Sequence, residues 1–271
     1  MEVNVIVLFI INVLLFISYG RTFSLNYLER NKKIAAEKAV RERQFEGKMV
    51  IGIGSGSTVV YAVEYIANTL KALKSSGENN DLEVVFVPSS YQARQLIEEH
   101  NLTLAEVNSV SKIQWTIDGA DEVAKEDNLL IKGGGGCLTQ EKVLAWMSNE
   151  LYIIADYTKA SDKLGQSWKK GIPIEVLSFC YSAVKREIEE KFGGETVLRI
   201  GVKKAGPVIT DNGNFILDWK FPEDINDWKN VEVTIKMMPG VVEVGLFFKM
   251  ANAVYLGKPD GGVEKLEYSA R

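Results

Sequence analysis

A Rossmann-like α/β fold, a mostly parallel sheet domain carrying a smaller inserted α+β domain, is the architecture that three observations predict. Short apolar strands alternate with helices through the first half of the chain. A polar segment follows each of those strands. Beyond residue 165 the order changes to βαββαβ. Alternation argues for a doubly wound parallel sheet, since parallel neighbours need a crossover between them. The βαββαβ order is that of the ferredoxin-like, split βαβ arrangement.

Taken in order, Ala35 to Arg43 reads as a helix that ends near Gly47. Met49 to Ile53 is a short strand running into Gly54-Ser-Gly-Ser-Thr58, and Val59 to Lys74 is a helix with Val59, Val63, Ile66 and Leu70 on one face. Leu82 to Val87 is a second strand, after which a serine of Pro88-Ser-Ser90 can cap the helix from Tyr91 to His100. Ile113 to Ile117 ends at Asp118, and Leu151 to Ala155 ends at Asp156, with Lys159 close behind. The second unit reads as a strand at Ile174 to Leu177, a helix at Tyr181 to Phe192 and a strand at Val197 to Ile200. A hairpin at Asp211-Asn-Gly213, a helix from Asp224 to Met237 and one strand from Val241 to Phe247 complete it. The predicted division is therefore a catalytic domain of 21–165 plus 252–271, and an inserted domain of 166–251.

Ligands of doubly wound sheets bind outside the carboxyl ends of the strands. Four polar segments fall there: Gly54 to Thr58, Pro88 to Ser90, Asp118 to Glu122 and Asp156 to Lys159. Their convergence is a stronger signal than any one motif.

Composition removes several functions. With 32 basic and 36 acidic residues the net charge is -4, so no global basic field invites nucleic acid. Two cysteines, Cys137 and Cys180, are too few for a disulfide framework or a thiolate zinc site. The one histidine, His100, excludes HExxH zinc sites, and its polar surroundings read as a solvated helix end. Val3 to Tyr19 is almost wholly apolar and slightly short for a span of about 20 residues. Residues 1–20 are set outside the fold as a leader or extension, and membrane association is expected only if that segment is retained.

Two constellations carry chemistry. In Gly52-Ile-Gly54-Ser55-Gly56-Ser57-Thr58 the glycines permit close backbone approach, and free amides at a helix start suit an anion. Ser57 stands where the third glycine of GxGxxG belongs and Walker A is absent, so phosphate on a small metabolite fits better than a dinucleotide. From Asp118 to Glu141 the chain sets Asp118, Asp121, Lys132, the glycines Gly133 to Gly136 and Glu141 close together, a polar wall that ordinary cores avoid. Glu141 opens a helix whose apolar face reads as Val143, Met147 and Leu151. There the helix dipole favours an ionised carboxylate able to accept a proton. The blander readings are a dipole-complementing glutamate, a turn or Mg²⁺ site at Asp118 and Asp121, and exposed lysines at 132 and 159.

The chain resembles the type A ribose-5-phosphate isomerase family, in its eukaryotic form. The blocks that carry the likeness are GIGSGST (52–58), VPSSYQARQLI (87–97), DGADE (118–122), KGGGGCLTQEK (132–142), KGIPIEV (170–176), KAGPVITDNGNFILDWKF (204–221) and PGVVEVGLF (239–247). They cover about residues 30–268. The resemblance implies interconversion of ribose 5-phosphate and ribulose 5-phosphate in the pentose phosphate pathway, without metal or organic cofactor. It implies Glu141 as the base, working through an enediolate. Asp118 and Asp121 would assist ring opening and hydroxyl proton transfer, and Lys132 with the amides of Gly133, Gly134 and Gly135 would steady the oxyanion. Ser55, Gly56, Ser57, Thr58 and Lys159 would hold substrate oxygens, phosphate included. It further implies a cytoplasmic homodimer or homotetramer. A different sugar-phosphate isomerase, a deaminase-like protein and a sensor that binds without turnover are the competing readings.

Overall fold

The computed structural model describes residues 27–76 and 81–269; the apolar segment of residues 1–20 lies outside them. A helix over 27–41, α1, opens the fold, with Ala35, Ala36, Ala39 and Val40 buried on one face. Then follow β1 (Lys48–Ile53), α2 (Val59–Ser76), β2 (Glu83–Pro88), α3 (Tyr91–Glu99) and β3 (Ile113–Asp118). Short strands β4 (Glu122–Ala124) and β5 (Leu129–Ile131) precede α4 (Leu138–Met147), β6 (Ser148–Asp156) and β7 (Ala160–Ser161). The second half comprises β8 (Ile172–Val176), α5 (Tyr181–Phe192), β9 (Glu195–Leu198), β10 (Phe215–Lys220), α6 (Trp228–Lys236), β11 (Val241–Val244) and β12 (Leu246–Phe248). The chain closes with β13 (Ala253–Gly257) and β14 (Val263–Glu267).

The main sheet runs β14-β13-β6-β3-β1-β2 and is parallel except for β14. This is the mixed α/β, mostly parallel architecture the alternation predicts. Parallel registers such as Ile53 with Pro88 and Ile53 with Ile117 bring the ends of β1, β2 and β3 to one edge. The second sheet, β11-β8-β10-β9, is antiparallel and carries α5 and α6, in the predicted βαββαβ order.

A third sheet, β12-β5-β4-β7, is absent from the sequence reading. Its strands are two or three residues long and alternate between two cores. Val123, Leu130 and Phe247 face the main sheet's core, while Ala124, Leu129, Ile131 and Leu246 face that of the second sheet. Side chains of successive strand residues point to opposite faces, so three residues can serve both layers. This thin layer joins the two larger sheets.

The single strand expected over 241–247 is two strands in different sheets. β11 pairs with β8 and β12 pairs with β5, and the chain changes sheet at Gly245. A Cβ on Gly245 would stand 2.4 Å from the Lys132 carbonyl oxygen and 2.8 Å from that of Pro173, so only glycine fits the crossing. Its N–H donates to Pro173 O at 2.7 Å, and its own oxygen accepts from Lys132 N at 2.9 Å. The helix expected over 224–237 is confined to α6, with the Asp227 side chain capping it at Asn230 N. Among the described residues no helix is long and apolar enough to cross a membrane.

Candidate active site

The carboxyl edge of the main sheet opens on a cleft of about 510 Å³. Its floor is the turn from β1 into α2. Gly56 adopts φ 106°, turning the chain so that Ser55, Gly56, Ser57 and Thr58 line the cleft just ahead of α2. The amides that open α2 and the positive end of its dipole make such a turn an anion site, although Ser55 N is taken by Asp118. Ser55 Oγ lies 2.9 Å from Ser89 Oγ and donates to Ser90 Oγ at 2.6 Å, while Ser90 caps α3 by accepting from Ala93 N. Gly56 N donates to Gln92 Oε1 at 2.9 Å.

Lys159, on the turn after β6, also lines the cleft. The buried Asp156 holds that turn by accepting from Thr158 N and Thr158 Oγ1. A cation that sequence reasoning missed stands beside the glycine turn. Lys32 of α1 donates to Ser57 Oγ at 3.0 Å and pairs with Glu29 at 2.7 Å. Nothing in a lysine-rich helix sets Lys32 apart before the fold brings α1 against this edge. Asp211, from the hairpin turn just before β10, reaches across to accept from Tyr91 N at 2.9 Å and lines the same cleft. His100 is not among the lining residues.

The wall opposite is built by β3, β5 and α4. Asp118 ends β3 with 1% of its surface exposed. Its Oδ1 accepts from Ser55 N and Gly119 N, and its Oδ2 lies 2.9 Å from Lys132 Nζ. Lys132, 2% exposed just past β5, also donates to the Gly119 carbonyl at 2.6 Å. Its Nζ lies 3.3 Å from Glu141 Oε2, an ion-pair distance, although that oxygen accepts no well-aligned hydrogen bond. Asp121 Oδ2 accepts from Gly134 N at 2.6 Å. Glu141 and Asp121 line the cleft together with Gly133, Gly134 and Gly135, whereas Asp118 and Lys132 stand one layer behind. Asp118 and Asp121 are thus committed to different donors and do not converge on one point.

Glu122, next in sequence, turns away from the cleft. Its carboxylate accepts from Gly165 N, Ser167 N and Ser167 Oγ and so orders the loop into β8. The face of α4 also differs from the periodicity reading. Leu138, Glu141, Leu144 and Ala145 are buried, Val143 and Trp146 are exposed, and Leu151 belongs to β6. The helix buries its glutamate because Lys132 stands on that side, and an apolar count cannot register such a partner.

Charge counting explains the electrostatics. Lys132 faces three carboxylates, Asp118, Asp121 and Glu141, in a wall nearly closed to solvent, and Lys159 and Arg199 also bear on Asp121. Burial first, then the Asp118 and Asp121 charges, push Glu141 up to about 8, against the lowering effect of Lys132. This corrects the expectation of a helix-start carboxylate held ionised by the dipole: desolvation and like charges outweigh it. Burial opposes the charge on Lys132, yet Asp118 and Glu141 hold its pKa above the usual lysine value. Burial also raises Asp121, against its bond from Gly134 N. Burial and the neighbouring Glu141 push the Cys137 thiol up to about 12, so it is a poor nucleophile at neutral pH.

An acid–base pair of carboxylates, a buried cation and an amide-lined turn suit proton transfer beside a carbonyl on a phosphorylated substrate. Comparison with known proteins bears on the same chemistry. Residues 85–261 match the family model described as ribose 5-phosphate isomerase A (phosphoriboisomerase A). Human ribose-5-phosphate isomerase is 50% identical over 239 residues, covering 88% of this chain and 74% of the human one. A solved D-ribose-5-phosphate isomerase in complex with phospho-erythronic acid superposes with a TM-score of 0.80 at 41% identity, covering 89% of this chain and 99% of that one. The ribose 5-phosphate isomerase A of Methanocaldococcus jannaschii gives 0.78 at 38% identity, covering 88% and 98%.

Proposed function

This chain belongs to the ribose 5-phosphate isomerase A family and interconverts ribose 5-phosphate and ribulose 5-phosphate, and we propose that Glu141 carries the proton between C1 and C2. In the open-chain aldose, the Glu141 carboxylate removes the C2 proton. The C–H pair becomes the second C1–C2 bond, and the carbonyl pair moves onto O1, giving an enediolate. Return of that proton to C1, with transfer of the O2 proton to O1 and restoration of a carbonyl at C2, gives the ketose. The observation that carries this reading is the buried Glu141 carboxylate on the cleft wall, 3.3 Å from Lys132 Nζ, with an oxygen that no other donor occupies.

Gly133, Gly134 and Gly135 line the cleft where the negative oxygen develops; Gly134 N–H is taken by Asp121, so the amides of Gly133 and Gly135 are its donors, and the Lys132 charge behind them offsets it. Asp121 shuttles hydroxyl protons and assists ring opening. Asp118 supports the same steps by holding Lys132, since its own oxygens are occupied. The turn Ser55 to Thr58 receives the phosphate at the start of α2, with Lys159 and Lys32 as its cations.

The test is turnover of ribose 5-phosphate by purified protein with and without EDTA, beside Glu141→Gln. A general base contributes about 10²- to 10⁴-fold, so the variant should lose turnover on that scale while still binding substrate. Near-normal turnover removes Glu141 from its role, and sensitivity to EDTA removes the metal-free mechanism. Family membership also supports a place in the non-oxidative pentose phosphate pathway and a cytoplasmic homodimer or homotetramer, which cell fractionation and light scattering test. The sheet order supports reading 166–251 as a unit inserted between 21–165 and 252–271.

A further inference from the structure

We infer that Arg199 is a positioning residue for this reaction: reaching out of the inserted sheet, its guanidinium sets the direction of the Gly134 and Gly135 N–H groups at the cleft. The inference rests on the reading of the Gly135 amide as a donor to the developing oxyanion, with Gly134 N–H as the group that holds Asp121.

Four consecutive glycines have no side chains to hold their peptide planes, and glycine samples more backbone conformations than any other residue. A donor array made of such peptides needs a clamp from outside. Arg199 Nη1 lies 2.9 Å from the Gly133 carbonyl oxygen and 3.1 Å from that of Gly134. The other edge of the guanidinium is held by Asp218, Nε to Oδ2 at 2.8 Å and Nη2 to Oδ1 at 2.5 Å. Both side chains are 15% exposed. The backbone of Arg199 is itself pinned, donating to Ile216 O and accepting from Val208 N.

None of the described peptide bonds is cis, and in a planar trans peptide the N–H points opposite to the C=O. Holding the Gly133 carbonyl therefore aims Gly134 N–H away from Arg199, where it meets Asp121 Oδ2 at 2.6 Å. Holding the Gly134 carbonyl aims Gly135 N–H away from Arg199 in the same manner, and Gly135 lines the cleft. A cation on the oxygens also polarises both peptides and strengthens their N–H groups as donors. Only a planar fork can grip a carboxylate on one edge and carbonyls on the other, which a lysine cannot reproduce.

The experiment compares Arg199→Met, Arg199→Lys and Gly135→Pro with the wild-type chain, reading kcat, KM and inhibition by phospho-erythronic acid and by inorganic phosphate. The carboxylate of phospho-erythronic acid is a planar anion at the reacting end, whereas inorganic phosphate reports only the other end. Misplaced reacting groups cost about 10²-fold, so Arg199→Met should lower kcat on that scale with KM within about threefold. Binding of phospho-erythronic acid should weaken in parallel while inhibition by inorganic phosphate stays unchanged. Arg199→Lys, which keeps the charge and guards against a failure of Arg199→Met to fold, should lose about tenfold in kcat. A merely structural arginine would lower the melting temperature and leave kcat per folded molecule and both inhibition constants at wild-type values, and that result overturns the inference. Gly135→Pro deletes the N–H itself at a position where a Cβ meets nothing within 4 Å. Loss of kcat there without loss in the Arg199 variants overturns the Arg199 inference alone; full kcat there overturns the amide-donor reading beneath it.

Discussion

Glu141 and Lys132 meet at 3.3 Å in a wall nearly closed to solvent, and both have pKa values raised above their ordinary ranges. An isolated pair would lower the glutamate. Here the ammonium is shared with Asp118 at 2.9 Å and faces Asp121 as well, so Glu141 has only part of one positive charge. The glutamate, which takes the fewest hydrogen bonds, is the group pushed towards its protonated form. A higher pKa makes it the stronger base once that proton leaves, which is the match a proton abstraction near neutral pH requires.

The pH profile of kcat/KM should therefore rise along a limb well above the ordinary glutamate value of about 4.3, with Glu141 pushed up to about 8. The phosphate of the substrate titrates near 6, so it adds a limb of its own. Asp121→Asn separates the two. Removing one of the carboxylates that raise Glu141 should move the upper limb to lower pH and leave the substrate limb in place. A profile that is flat above pH 5 would contradict this assignment.

Stability should carry the same signature with a definite sign. Glu141 is raised in the folded chain, so between the unfolded value near 4.5 and about 8 the fold binds the proton more tightly than the unfolded chain does. Its contribution to stability is then present below the unfolded pKa and lost as pH rises through the folded one. Glu141→Gln, neutral and nearly isosteric, lacks that loss. Urea midpoints should be close for the two proteins at pH 5 and should favour the variant at pH 8. Equal gaps at both pH values would show that the folded protein does not raise Glu141.

Gly54 lies so close to the wall that a Cβ there would stand 2.0 Å from Asp118 Oδ1 and 2.5 Å from its Cβ. Gly54→Ala must push Asp118 off Lys132. Overpacking costs about 1–3 kcal/mol, and breaking a buried ion pair costs about 3–5 kcal/mol when a partner is left behind. The expected outcome is a loss of several kcal/mol in chemical denaturation and at least about 10²-fold in kcat/KM. Wild-type stability would mean that the turn after β1 shifts without disturbing Asp118.

Lys32 is a test of the phosphate end alone. Its ammonium stands at Ser57 Oγ, away from the proton-transfer wall. A charge-assisted hydrogen bond contributes about 1.5–3 kcal/mol, so Lys32→Ala should raise KM by about 10- to 100-fold with kcat little changed. The effect should shrink as ionic strength rises, because the site is partly open to solvent. A fall in kcat at unchanged KM would move Lys32 to the reacting end.

The main sheet was legible because each strand of β1, β2, β3 and β6 is bounded by polar turns and followed by a helix or a motif. The βαββαβ order was equally legible, since α5 and the hairpin at Asp211-Asn-Gly213 carry strong local signals. The thin sheet was not. Strands such as β5, Leu129–Ile131, are too short for any periodicity, and they exist only because both neighbouring layers offer apolar faces. Within the site, Asp118, Asp121, Lys132 and Glu141 sit in one conspicuous stretch. Lys32, Asp211 and Arg199 come from distant segments, and nothing local distinguishes them from surface charges. Glu175 was invisible for the same reason, lying in an apolar strand with no sequence neighbour to explain it.

Glu175 supplies the last prediction because its environment separates two kinds of substitution. It is fully buried on β8 and accepts from four donors: Thr139 Oγ1 at 2.5 Å, Thr210 Oγ1 at 2.8 Å, Asn212 Nδ2 at 3.0 Å and Asn214 Nδ2 at 2.9 Å. Thr139 is two residues before Glu141, and the Thr210 to Asn214 hairpin carries Asp211 to the cleft, so this carboxylate ties α4 to the strap across the mouth. Glu175→Gln keeps an oxygen for the three donors on Oε1 and turns an amide toward Thr139, whose hydroxyl can rotate to accept. The cost should be about 1–2 kcal/mol, with kcat within a few-fold of wild type. Glu175→Ala leaves four donors without their acceptor; the exposed Asn212 can turn to water, whereas the buried Thr210 cannot, at about 1–3 kcal/mol for each group that water cannot reach. It should unfold several kcal/mol earlier in urea and lose turnover more than substrate affinity, because the start of α4 loosens while the phosphate turn stays intact. If the two variants behave alike, the hydrogen bonds at Glu175 do not hold α4, and the strap reaches Tyr91 on its own.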